Sequence, residues 1–128
     1  MSHVLVVEDF EPVRRLITYI LGAGGYGVAA AGSAAEAVRL VAASAPSLIL
    51  LDYDLPDADG FEAARLLRRL PGLETTPILL LATSDLLGGC TGTPGPGLNG
   101  SVNKARVVTD LLDCVREYIG GGNRPPGP

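Results

Sequence analysis

The stretch PSLILLDYDLPDADG, residues 46–60, constrains this chain more than any other. Leu48-Ile49-Leu50-Leu51, entered through Pro46 and Ser47, runs straight into Asp52. A continuous apolar run of this length reads as a strand buried on both faces, and such strands lie in parallel sheets with helices on either side. Asp52 then stands at the carboxyl end of that strand, the edge where open α/β sheets place their ligands. Leu55-Pro56 and Asp59-Gly60 follow as turn signals. Alone, a carboxylate at that edge is either a solvated strand end or a site.

The rest of the chain alternates in a way that supports a parallel sheet. His3-Val4-Leu5-Val6-Val7 is a β-branched run ending in two acids, Glu8 and Asp9. Pro12 suits a first helical turn, and Val13, Leu16, Ile17, Ile20 and Leu21 recur at helical spacing with Arg14 and Arg15 outward. Gly22, Gly24 and Gly25 end that helix, and residues 26–30 form a weak second strand. Ser33 and Glu36 have capping-box spacing, ahead of a helix that turns Ala37, Leu40 and Val41 inward. After the central strand, Phe61, Ala64, Leu67 and Leu70 mark a third helix, with Arg65, Arg68 and Arg69 on its wet side. Pro77 introduces a fourth buried strand, Ile78-Leu79-Leu80-Leu81, ending at Ala82-Thr83.

The pattern then changes. GGCTGTPGPGLNG, residues 88–100, holds six Gly and two Pro in thirteen positions, a composition that excludes a helix. Ser101-Val102-Asn103 suits a short edge strand, followed by Lys104. Val107, Val108, Leu111, Leu112, Val115 and Ile119 form a last amphipathic helix. The expected domain covers residues 1–119, and the Gly/Pro-rich residues 120–128 read as a disordered tail. The order β-α-β-α-β-α-β-loop-β-α means a doubly wound α/β fold with a parallel sheet and right-handed crossovers. The helix expected after the fourth strand is missing.

Composition bounds the partners. At 128 residues the chain suits one domain with one real core. A net charge of −4 with no basic cluster argues against a nucleic-acid surface. No run of 18 apolar residues suggests a membrane span, and MSHVLVVEDFEP carries charges where an apolar signal core would stand, so a cytoplasmic setting is expected. Cys90 and Cys114 lack metal-ligand or CxxC spacing and read as isolated thiols in a reducing compartment.

In a parallel sheet all the ligand-edge strand ends are carboxyl ends. Glu8, Asp9, Asp52, Ala82-Thr83 and Lys104, distant in sequence, therefore share one rim. Clustered carboxylates repel one another and favour a divalent cation, and hard oxygen ligands suit Mg²⁺. An Asp carboxylate can attack phosphorus, and a lysine can pair with a carboxylate or a phosphoryl group.

These residues resemble the receiver domain of two-component response regulators. The resemblance rests on Glu8-Asp9, Leu51-Asp52 with Leu55-Pro56 and Asp59-Gly60, Pro77, and Lys104 after Gly97-Leu98-Asn99-Gly100, and covers about residues 3 to 119. It implies a five-stranded parallel sheet in the order 2-1-3-4-5. It further implies Asp52 as phosphoacceptor, Mg²⁺ held by Glu8, Asp9, Asp52 and the backbone carbonyl of Asp54, and Lys104 on the phosphoryl oxygens. The partner would be a histidine kinase or phosphotransfer protein, with the signal passed to a downstream protein by surface contact from a monomer or weak homodimer. The chain would be a phosphoacceptor, acting enzymatically only on its own phosphorylation and dephosphorylation.

The departures from the family pattern lie on the switch. Ala82 stands where the family usually has a Thr or Ser, with Thr83 one position late; Ser101 replaces the usual aromatic, and Ala105 the usual proline. The spacing from Ala82 to Lys104 is of family length, so the fourth helix reads as dissolved rather than deleted. Leu86 and Leu87 would plug the gap it leaves or form a partner patch. A pseudo-receiver scaffold, binding partners regardless of Asp52, is the alternative; the intact acids and Lys104 oppose it, because unused buried charge is costly. Asp52-Tyr53-Asp54 superficially resembles a haloacid-dehalogenase phosphatase motif, but Pro56 and the lack of a cap domain oppose that reading. An FMN carrier is opposed by the acidic loop after the first strand.

Overall fold

The computed structural model describes residues 3–84 and 87–120. Five strands, β1 (His3–Val7), β2 (Gly27–Ala31), β3 (Leu48–Asp52), β4 (Ile78–Ala82) and β5 (Gly100–Asn103), form one parallel sheet in the order β2-β1-β3-β4-β5. Helices α1 (Glu11–Ala23), α2 (Ala34–Ala43) and α3 (Gly60–Arg68) follow the first three strands. A single 3₁₀ turn, Lys104–Arg106, leads from β5 into α4 (Val107–Ile119). Among the described residues no helix lies between β4 and β5, as the Gly/Pro composition requires. No helix among them is long and apolar enough to cross a membrane.

Strand alternation divides the interior into two cores. Leu5, Val7, Ile49, Leu51, Ile78 and Leu80 face α2 and α3. Val4, Val6, Leu48, Leu50, Leu79 and Leu81 face α1 and α4. Residues at i and i+2 of a strand share a face, so a run apolar at every position must be covered on both sides. All five residues of β3 and of β4 are buried accordingly.

The helix starts are set locally. The Ser33 hydroxyl accepts from the Glu36 amide at 3.1 Å, but the Glu36 carboxylate accepts from Gly32 rather than closing a reciprocal box. The reciprocal box belongs instead to Asp59 and Glu62, at the start of α3. Asp59-Gly60 is therefore a helix start rather than only a turn. A Cβ on Gly60 would lie 2.6 Å from Leu80 Cδ1, so only glycine lets α3 begin this close to the end of β3.

Several expected orientations are corrected. Leu16 is exposed on α1, and Val108 is 73% exposed on α4, because the inward stripe of α4 runs through Val107, Leu111, Cys114 and Val115. Arg68 does not point to water: its guanidinium donates to the carbonyls of Leu73, Thr76 and Gly97 and to Asn99 Oδ1. Cys90 and Cys114 are not isolated thiols but a disulfide, with Cα atoms 5.7 Å apart. Their separation of 24 residues carries no pairing signal; the folded loop brings Cys90 onto α4. Leu87 packs against the α2–α3 core as a plug, while Leu86 and the tail from residue 121 lie outside the described residues.

Candidate phosphoryl-acceptor site

Strand register assembles the site. Val7 pairs with Leu51, so the next residues, Glu8 and Asp52, come side by side. Asp52 in turn pairs with Leu81, and Ala82 with Asn103, which brings Thr83 and Lys104 to the same rim. The three carboxylates of Glu8, Asp9 and Asp52 each offer an oxygen within 4.8 Å of the others. Glu8 and Asp52 are buried, at 0% and 3% exposure, while Asp9 is exposed.

Lys104 bridges the two buried acids. Its Nζ lies 2.7 Å from Asp52 Oδ1 and 2.8 Å from Glu8 Oε1. Among the described residues Glu8 Oε1 has no hydrogen-bond partner beyond this ion pair. Burial raises the pKa of Glu8; the Lys104 ammonium opposes that rise, and the adjoining Asp52 carboxylate adds to it. For Lys104, burial alone would lower the pKa, but the bonds to Asp52 and Glu8 outweigh it and the net shift is upward. The lysine therefore keeps its charge throughout the neutral range.

The acid loop is braced by a residue that sequence periodicity placed in solvent. Arg14 Nη1 donates to the carbonyl of Glu8 at 2.9 Å and to that of Asp9 at 3.3 Å. Phe10 N–H donates to Glu8 Oε2 at 3.2 Å, and Glu8 N–H to the Ala31 carbonyl at 2.9 Å. Phe10, not Asp9, precedes α1 as its cap residue, which leaves the Asp9 carboxylate for the acid cluster. An i+5 or i+6 arginine reaching back over a loop is not visible in a helical wheel.

On the far side, a cavity of about 370 Å³ opens beside Asp52 and Lys104, with Thr83, Phe61 and Leu87 among its lining. Ala82, in the usual hydroxyl position, is buried, whereas Thr83 is exposed just past the end of β4. Asp54 lies in the loop after β3, where it bridges to Asp59 across the turn. Tyr53 and Phe61 meet edge to face, with ring centres 5.5 Å apart. The donor set is all oxygen, hard and anionic, which fits Mg²⁺ and not a soft metal.

Comparison with known proteins agrees with this geometry. The family model described as "Response regulator receiver domain" matches residues 4–116. The chain is 34% identical over 121 residues to the transcriptional activator protein ExaE of Pseudomonas putida, covering 92% of this chain and 55% of that one. It is 39% identical over 120 residues to the DNA-binding transcriptional activator DevR/DosR of Mycobacterium tuberculosis, covering 87% and 54%. The chain thus spans about half the length of these curated relatives. Among solved structures, the receiver domain of the sensor histidine kinase PA1611 from Pseudomonas aeruginosa superimposes with a TM-score of 0.82. That pair is 28% identical, over 93% of this chain and 98% of the other, whose active-site cleft coordinates a magnesium ion. The sheet order, the acid rim and the matched residues together make this chain a member of the response regulator receiver domain family.

Proposed function

We propose that Asp52 accepts a phosphoryl group from a histidine kinase or phosphotransfer protein, and that Glu8, Asp9, Asp52 and the backbone carbonyl of Asp54 hold Mg²⁺. The observation that carries this reading is the meeting of three carboxylates with the Lys104 ammonium at one strand edge. An Asp52 oxygen attacks the phosphorus of a phosphohistidine. The P–N bond breaks, its electron pair returns to the imidazole, and an acyl phosphate forms on Asp52. Lys104, already held at Asp52, pairs with the incoming phosphoryl oxygens. Mg²⁺, when bound, supplies charge neutralisation for those oxygens. Any turnover is of the chain's own acyl phosphate. The setting is the cytoplasm, and the signal passes on by protein contact from a monomer or weak dimer.

A second reading, a scaffold indifferent to Asp52, draws on the switch positions. Ala82 offers no hydroxyl, and Ser101 is buried with its amide held by the Gly89 carbonyl at 2.8 Å. One experiment separates the two. Mg²⁺ is titrated into the protein and beryllofluoride, a phosphoryl mimic, is then added, both followed by amide NMR, with Asp52→Asn as control. Acetyl phosphate is used in parallel to add a phosphoryl group, read by intact mass. Mg²⁺-dependent mimic binding and a mass increment that vanish in Asp52→Asn are expected. No mass increment together with no Mg²⁺ binding would leave the scaffold.

A further inference from the structure

The segment between β4 and β5 is not a slack connection. Gly88 and Gly89 take φ values of 92° and 69°, and a Cβ on Gly92 would lie 2.5 Å from Gly88 Cα. The glycines thus pack backbone against backbone, a fold only they allow. That turn delivers Cys90 to the junction of β5 and α4. There the Gly89 carbonyl accepts from Ser101 N–H at 2.8 Å, and the Tyr118 hydroxyl lies 2.6 Å from the Cys90 carbonyl and 2.8 Å from that of Asn99. A Cβ on Gly100 would fall 1.9 Å from the Cys90 carbonyl oxygen, so β5 is cut away to receive it. Cys90 is then bonded to Cys114 on α4.

A cleft of about 290 Å³ lies beside the bridge, with Cys90, Cys114, Ser101 and Asp113 in its lining. Both cysteines line it, and it is the side from which an attacking thiolate would approach the bridge. The near end of the same loop reaches the acid site, where Leu87 shares a cavity with Asp52 and Lys104. In the cytoplasm, the setting that follows from the phosphoryl-acceptor reading, disulfides are reversible and sensing rather than permanent.

We propose that Cys90 and Cys114 form a reversible thiol–disulfide site, a latch whose redox state sets whether the Gly-rich loop is held on β5 and α4. A cellular dithiol opens it. One thiolate of the dithiol attacks a bridge sulfur, the second resolves the mixed disulfide, and the dithiol leaves as its own disulfide. The protein gains two electrons and two protons and becomes Cys90-SH and Cys114-SH. The opened loop uncovers the β5–α4 face.

The test uses the full chain without phosphoryl donor or Mg²⁺, so its outcome is independent of whether Asp52 is modified. The protein is equilibrated across ratios of reduced to oxidised dithiothreitol. The bridge is scored by alkylation and intact mass, and the same samples are read by amide hydrogen exchange. We expect alkylation to pass from none to two groups per chain, and loop amides 88–101 to exchange at least about tenfold faster once reduced, with β1 and β3 unchanged. Cys90→Ser/Cys114→Ser should show the reduced pattern in either buffer. Two alkylatable thiols at every ratio, or loop exchange that ignores reduction of the wild type, would overturn the latch.

Discussion

Glu8 has no exposed surface, and it shares a single ammonium, that of Lys104, with Asp52. Burial raises its pKa above the ordinary value of 4.5, against the pull of Lys104. A folded-state pKa above the unfolded one means that the group's contribution to stability is complete below the unfolded value and is lost as pH rises through the folded value. In the metal-free fold, ionising Glu8 therefore comes at some expense of stability. That expense is what a divalent cation would relieve. Glu8→Gln removes the charge while keeping an oxygen to accept from Phe10 N–H. In the presence of chelator it should resist urea better than the wild type at pH 7, and the gap should narrow as pH falls, because burial makes wild-type Glu8 take up its proton more readily than an ordinary carboxylate. Identical urea midpoints at pH 7 would mean that Lys104 offsets the burial of Glu8 in full.

At the scale of elements, Arg68 shows what joins the loops. From the end of α3 it reaches the loop before β4, at the Leu73 and Thr76 carbonyls, and the loop before β5, at the Gly97 carbonyl and Asn99. Asn99 Oδ1 also accepts from Ile78 N–H at 2.9 Å, so the clamp fixes the start of β4 as well. Arg68→Ala should cost about 2 kcal/mol in urea unfolding, since it orphans several partly buried acceptors at once. Arg68→Lys should recover little of that, because a point charge cannot fork between them. The sheet was legible in the sequence because Leu48–Leu51 and Ile78–Leu81 have no polar position to offer water. The acid rim was legible because parallel strands put all their carboxyl ends on one edge. Arg14 and Arg68 were not, since a helical wheel records where a side chain leaves the backbone and not where a long one returns. Leu16 and Val108 were misplaced because neighbouring apolar residues blur which of them defines the inward stripe.

Across the whole molecule, the two cores on either face of the sheet are each closed by a pair of helices, and the edge beyond β5 is closed by the bridged loop instead of a helix. A bridge between residues 24 apart restricts the unfolded chain, and loop-closure entropy for that span corresponds to about 3 kcal/mol. Cys114 belongs to the α1–α4 core and Cys90 packs against it, but the centre of the sheet is built from Leu50, Leu51, Leu79 and Leu80, all fully buried on strands that the bridge does not join. Reduction should therefore lower the melting temperature by roughly 10 °C for a domain of this size while leaving one cooperative transition. Scanning calorimetry of oxidised and reduced protein checks both parts. A split transition on reduction would mean that the bridge, rather than the shared sheet, ties the β5–α4 side to the remainder. Coincident transitions would mean that the loop's glycine packing restrains it equally well in both redox states, with the bridge adding nothing to the fold it spans.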